Sequence, residues 1–129
     1  MANILVVDDA VDAAESLVLL FQACGHEAHV AFDGLQGIAA AEQHRPHIIF
    51  LDLDMPRLDG FGAARAIRGL ATVGHPFIVA LTANGDVDVQ ARTQAAGFDF
   101  YLRKPADTNV LLALVDDLGK RTHPGAVVT

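Results

Sequence analysis

Five polar residues stand where short apolar runs end. Asp8 and Asp9 close Ile4-Leu5-Val6-Val7, and Asp52 closes Ile48-Ile49-Phe50-Leu51. Thr82 closes Phe77-Ile78-Val79-Ala80-Leu81, and Lys104 follows Phe100-Tyr101-Leu102. If these runs are parallel strands, all five polar groups emerge at one edge of one sheet. Three carboxylates crowded there repel one another unless a divalent cation and an ammonium neutralise them. Hard oxygen donors in this number suit Mg²⁺, which keeps some of its waters and binds one or two carboxylates plus a phosphate; Mn²⁺ could substitute. A hydroxyl and an ammonium beside the metal are what the remaining oxygens of a phosphoryl group need. The pattern points to phosphate chemistry at an aspartate.

That chemistry requires a scaffold that brings distant strand ends together. Short apolar runs alternate with longer amphipathic segments. The spacing predicts strands near 3–8, 27–31, 47–52, 77–82 and 99–103, and helices near 11–24, 34–44, 60–69, 86–96 and 107–119. The near-continuous apolar runs predict strands buried on both faces, as in a parallel sheet. In the first helix Ala14, Leu17, Val18 and Phe21 recur at three- and four-residue spacing. Gly25 and Gly97 are placed as C-terminal stops, and Asp59 and Asp107 as N-caps. Five βα units without a composition break argue for one doubly wound α/β domain over 1–119. In such sheets ligands bind outside the carboxyl ends of the strands. Residues 120–129 contain Pro124 and Gly125, lack a helical pattern and read as a short tail or linker stub.

Composition narrows the classes. The chain has 129 residues, enough for one domain, and is 52% hydrophobic, enough for a full core. Its formal net charge of −7 and lack of a basic run argue against direct nucleic-acid binding. No apolar stretch approaches the ~18 residues of a membrane span, and the first residues carry no secretory pattern. A single cysteine, Cys24, excludes an intrachain disulfide and reads as a small buried hydrophobe. A cytoplasmic setting is expected. The histidine pairs His26/His29 and His44/His47 sit in no recognisable ligand frame and are expected at solvated surface or loop positions.

The segments Ile4-Leu5-Val6-Val7-Asp8-Asp9, Leu51-Asp52-Leu53-Asp54-Met55-Pro56-Arg57-Leu58-Asp59-Gly60, Ala80-Leu81-Thr82-Ala83 and Tyr101-Leu102-Arg103-Lys104-Pro105 occur in that order, each with an apolar strand. Over about residues 3–119 the chain resembles the receiver (CheY-like) domain of two-component response regulators. The resemblance implies a flavodoxin-like five-stranded parallel sheet of order 2-1-3-4-5 with five helices. It implies that Asp52 accepts a phosphoryl group from a histidine kinase or histidine phosphotransfer protein. Asp8 and Asp9 match the acidic pair that holds Mg²⁺, together with Asp52 and the main-chain carbonyl of Asp54. Thr82 matches a switch hydroxyl, Tyr101 an aromatic that turns inward with it, and Lys104 the lysine that pairs with phosphoryl oxygens. Lys104-Pro105 matches a bond often cis in the family. The side chains of Asp54 and Asn84 occupy positions that resemble tuners of phosphoryl lifetime. Such a protein catalyses its own phosphorylation and dephosphorylation without being a multiple-turnover enzyme. It acts on an output protein through the surface of helix 4, strand 5 and helix 5, as a monomer or weak dimer.

Two other classes compete. Asp52-Leu53-Asp54 resembles the DxD motif of haloacid-dehalogenase-like phosphatases, but Pro56 stands where Thr or Val is usual and the motif follows the third predicted strand instead of the first. A flavin-binding module would need a phosphate loop after the first strand, where Asp8-Asp9 would repel the ligand. Singly, Asp8-Asp9 reads as a strand-to-helix turn, Thr82 as a β-branched strand residue and Tyr101 as a half-buried aromatic. Asp59-Gly60 reads as a helix start and not as a ligand.

Overall fold

The computed structural model describes residues 2–55, 57–83 and 87–124. Five strands, β1 (Asn3–Val7), β2 (Glu27–Ala31), β3 (Ile48–Asp52), β4 (Phe77–Thr82) and β5 (Phe100–Arg103), form one sheet. All adjacent pairs are parallel and the order is β2-β1-β3-β4-β5. Helices α1 (Val11–Ala23), α2 (Gly34–His44), α3 (Gly60–Arg68), α4 (Val87–Ala96) and α5 (Thr108–Leu118) connect or follow them. A single 3₁₀ turn at Ala71–Val73 was not expected from the sequence.

Strand alternation sorts the core into two layers. Leu5, Val7, Ile49, Leu51, Ile78 and Ala80 pack with Ala41 of α2, Phe61, Ala64 and Ile67 of α3 and Val89 of α4. Ile4, Val6, Ile48, Phe50, Phe77, Val79 and Leu81 pack with Ala14, Val18 and Phe21 of α1 and Leu111, Val115 and Leu118 of α5. Every residue of β3 and β4 is buried, which is why those runs read as continuously apolar. The edges depart from that expectation. Both ends of β5 are exposed and β2 begins exposed, because an edge strand has a neighbour on one side only.

The helix ends follow their local chemistry. Asp59 accepts a hydrogen bond from the Gly62 N–H at 2.8 Å, and Asp107 from the Asn109 N–H at 2.7 Å. Gly25 (φ 89°) and Gly97 (φ 96°) take the left-handed conformation that ends α1 and α4. The Lys104–Pro105 bond is cis.

One sequence expectation is corrected. Cys24 is exposed, because as the residue closing α1 it lies past the stripe formed by Ala14, Val18 and Phe21. His26 and His47 stand at loop positions and all four rings of the two pairs are part-exposed, as expected, and they make specific contacts. His26 Nδ1 accepts the Ala2 N–H at 3.0 Å, His47 Nε2 bonds the Leu118 carbonyl at 2.8 Å, and the His29 and His44 rings stack at 3.6 Å. Residues 121–124, which follow α5, carry no helix or strand, and among them His123 bonds Asp99 at 2.7 Å. Asn84 and Asp86, the first residue of the predicted fourth helix, lie outside the described residues.

Candidate functional site

The backbone ladders run slightly past the strand ends and carry the polar residues with them. The Asp8 N–H bonds Ala31 O at 3.1 Å, the Leu53 N–H bonds Leu81 O at 3.1 Å and the Lys104 N–H bonds Thr82 O at 2.8 Å. Parity then decides direction. Asp8 continues the series Ile4, Val6; Asp52 continues Ile48, Phe50; Lys104 continues Leu102. All three series face α1 and α5. Thr82 has the opposite parity, that of Ile78 and Ala80, and Tyr101 packs on the same α2–α3–α4 side.

The acidic groups converge. Asp8, Asp9 and Asp52 each offer a carboxylate oxygen within 4.8 Å of the others. Lys104 Nζ lies 2.9 Å from Asp8 Oδ2 and 3.4 Å from Asp52 Oδ2. Asp8 Oδ1 also accepts the Ala10 N–H at 3.0 Å, so Asp8 shapes the turn into α1 and meets Lys104 at once. Asp8 and Asp52 are buried and Asp9 is exposed. Asp54 gives its backbone N–H to Asp52 Oδ1 at 3.3 Å, while its own side chain is exposed. Thr82 is buried at the end of β4, and Tyr101 is half-buried on β5 beside a cavity of about 180 Å³ lined also by Thr93, Phe98 and Phe100.

Burial pushes the Asp52 carboxyl up to about 7, the negative charge of Asp8 and a hydrogen bond shared with Asp8 add to it, and Lys104 and the Asp54 N–H act the other way. Burial pulls the Lys104 ammonium down, but the hydrogen bond to Asp8 and the charges of Asp52 and Asp8 outweigh this and hold it above its ordinary value. One ammonium does not balance three carboxylates. The site is short of positive charge, and its donors are all oxygen, which fits a hard divalent cation.

Two glycines let the backbone close around this site. A Cβ at Gly60 would stand 2.3 Å from Asp52 O, and one at Gly34 would stand 2.2 Å from Leu58 O. Only a bare Cα lets α3 start against Asp52 and α2 start against the loop that follows it. That loop holds Arg57 at φ 69°, an unusual value for a side-chain-bearing residue, with its guanidinium 3.4 Å from the buried Asp33 carboxylate. Sequence reasoning missed both glycine contacts and the Asp33–Arg57 pair. The available signal was a glycine directly after each capping aspartate: Gly34 after Asp33, which accepts the Gln36 N–H at 2.8 Å, and Gly60 after Asp59.

An apolar groove of about 650 Å³ opens beside Asp8 and Lys104. Leu17 and Leu20 of α1, Leu81, Pro105, and Leu111 of α5 line it.

Nothing supports the phosphatase reading of Asp52 and Asp54: the motif ends central strand β3, and Asp8, which that reading leaves without a role, is bound to Lys104. The family model of the response regulator receiver domain matches residues 4–116. Response regulator MprA of Mycobacterium tuberculosis is 38% identical over 122 residues, covering 95% of this chain and 52% of its own. Protein PilH of Pseudomonas aeruginosa is 34% identical over 118 residues, covering 90% of this chain and 96% of its own. The chain thus spans about half the length of MprA and nearly all of PilH. Among solved structures, the receiver domain of sensor histidine kinase PA1611 from Pseudomonas aeruginosa, described with a magnesium ion coordinated in the active site cleft, superposes with a TM-score of 0.84 at 28% identity, covering 93% of this chain and 98% of that one. Both the sequence matches and the acidic cleft at the carboxyl ends of β1 and β3 lead to one conclusion: the chain belongs to the family of response regulator receiver domains.

Proposed function

We propose that this receiver domain is a phosphorylatable switch of two-component signalling, with Asp52 as its phosphoacceptor. The observation that carries the reading is the convergence of Asp8, Asp9 and Asp52 with Lys104 opposite them. Asp52 attacks the phosphorus of a phosphohistidine in line, an O–P bond forms, and the P–N bond to the imidazole breaks. Lys104 pairs with a phosphoryl oxygen in place of Asp52 Oδ2. Mg²⁺, held by Asp8, Asp9, Asp52 and the Asp54 carbonyl, would supply the positive charge that keeps Asp52 ionised and offsets charge on the transferring group. Water attacking along the same line later hydrolyses the acyl phosphate. Asp54, exposed at the rim, acts on that second step, so Asp54→Asn changes the dephosphorylation rate; equal rates would remove it as a tuner.

The signal leaves through the other parity. Thr82 moves to hydrogen-bond the phosphoryl group, and Tyr101 turns toward the space it leaves. The surface of α4, β5 and α5 then favours its active arrangement, for which a preference of a few kcal/mol is sufficient. A histidine kinase or histidine phosphotransfer protein is the donor, and the groove beside Lys104 is where its helix face seats. The direct test is labelling by acetyl phosphate with and without Mg²⁺. Wild type takes up one phosphoryl group only with Mg²⁺, and Asp52→Asn takes up none. Equal labelling of both would place the acceptor elsewhere.

A further inference from the structure

The end of the sheet opposite the acidic site carries a second polar cluster, formed by residues far apart in sequence. Arg68, at the end of α3, uses its whole guanidinium there. It donates to Gly97 O at 3.0 Å, Pro76 O at 2.7 Å and Asp99 Oδ2 at 2.8 Å. Asp99 lies in the turn between α4 and β5. Its Oδ2 also accepts the Ile78 N–H of β4 at 2.8 Å. Its Oδ1 takes His123 Nε2 at 2.7 Å, and the His123 side chain is only 13% exposed. The His123 ring lies 5.1 Å from the Phe77 ring and stacks on His75 at 6.1 Å. Arg121 covers the same Phe77 ring at 5.8 Å and pairs with Asp117 of α5 at 3.1 Å.

We propose that residues 121–124 are a strap, locked by His123 into the Asp99–Arg68 socket, that couples the chain leaving α5 to the switch. The occupant of the socket is this chain's own segment. The socket adjoins the two strands that carry the switch residues: Ile78 lies on β4 four residues before Thr82, and Asp99 immediately precedes β5, two residues before Tyr101. A rearrangement of α4 and β5 therefore acts on Asp99, and a strap that grips one arrangement better shifts the switch by the same factor in return. That consequence rests on the switch reading above.

Native-state trypsin cleavage after Lys120 and Arg121, followed by mass spectrometry, reads the strap directly. Cleavage requires the strap to open, so its rate follows the open population. His123→Ala removes a hydrogen bond to a charged group and is expected to be cut about tenfold faster at an unchanged melting temperature. His123→Gln keeps a donor for Asp99 and falls between. Cleavage of His123→Ala at the wild-type rate would overturn the strap. Phosphorylated protein, with the label verified by intact mass, is expected to be cut at a rate differing about fivefold from unmodified protein. Asp52→Asn given the same treatment keeps its rate. Verified label with no change in rate would overturn the coupling, whereas absence of label would overturn the switch reading and the coupling with it, leaving the His123→Ala arm to judge the strap.

Discussion

Replacing Asp52 by Asn removes one charge from the acidic cleft and keeps an oxygen for the Asp54 N–H. In metal-free buffer this should stabilise the fold, and increasingly so as pH rises. Asp52 is raised from 3.8 to about 7 in the folded protein. Between those values the folded state holds a proton that the unfolded chain has released. Its contribution to stability is therefore fully present below 3.8 and is lost as pH rises through about 7. At about 1.4 kcal/mol for each tenfold change in proton affinity, the displacement corresponds to ~4 kcal/mol. Asp8 and Lys104 respond to the same charge, so about half, ~2 kcal/mol, is assigned to Asp52 alone. The assay is urea unfolding of both proteins in EDTA at about pH 4 and about pH 8. The advantage of Asp52→Asn over wild type should grow by ~2 kcal/mol between the two. Titrating groups away from the cleft are common to both proteins and cancel in the difference, and the response of Asp8 and Lys104 is what the halved figure allows for. Addition of Mg²⁺ at the higher pH should reverse the order, because the cation then binds wild type more tightly. An advantage independent of pH, or one that shrinks as pH rises, would refute the account of the cleft as a site short of positive charge.

Mg²⁺ alone should raise the melting temperature of wild type by binding the folded state, with ~2.7 kcal/mol of stabilisation at a hundredfold excess over Kd; no shift at millimolar metal would count against the cation site. The shift should be larger at pH 8 than at pH 6, since protons compete with the cation at Asp52, and calorimetry at both values checks it. Leu20→Glu, which puts a charge into the apolar groove, should slow transfer from a phosphohistidine protein while leaving labelling by acetyl phosphate unchanged; equal slowing of both would show that the groove does not receive the donor. Gly60→Ala should destabilise the fold by ~1–3 kcal/mol in urea unfolding, because its Cβ has no room against Asp52 O, and it should weaken the Mg²⁺ response; a neutral result would mean the loop yields freely.

Much of the scaffold was legible because it rests on local rules. Runs such as Ile48-Ile49-Phe50-Leu51 show burial on both faces, Asp59 and Asp107 show their helix starts, and Gly25 and Gly97 show the stops. What was illegible depends on contacts at a distance. Cys24 was misplaced because the apolar stripe of α1 runs out before it. The contacts of the histidines were hidden because a ring's role is set by what another segment brings to it, as Leu118 O is brought to His47 and Asp99 to His123. The exposure of β2 and β5 followed from their places at the sheet edges, which strand order decides.

The acidic cleft divides along the same line. By itself the amino-acid sequence determined that Asp8, Asp9, Asp52, Thr82 and Lys104 stand at strand ends, since an apolar run and the residue that closes it are neighbours in the chain. Only the tertiary structure decided that Lys104 meets Asp8, 96 positions away, and that Asp52 lies beside both with its proton affinity raised. Placing β3 between β1 and β4, and giving Asp8, Asp52 and Lys104 the same strand parity, brings those ends into one volume, and charges interact according to distance and burial, not order along the chain.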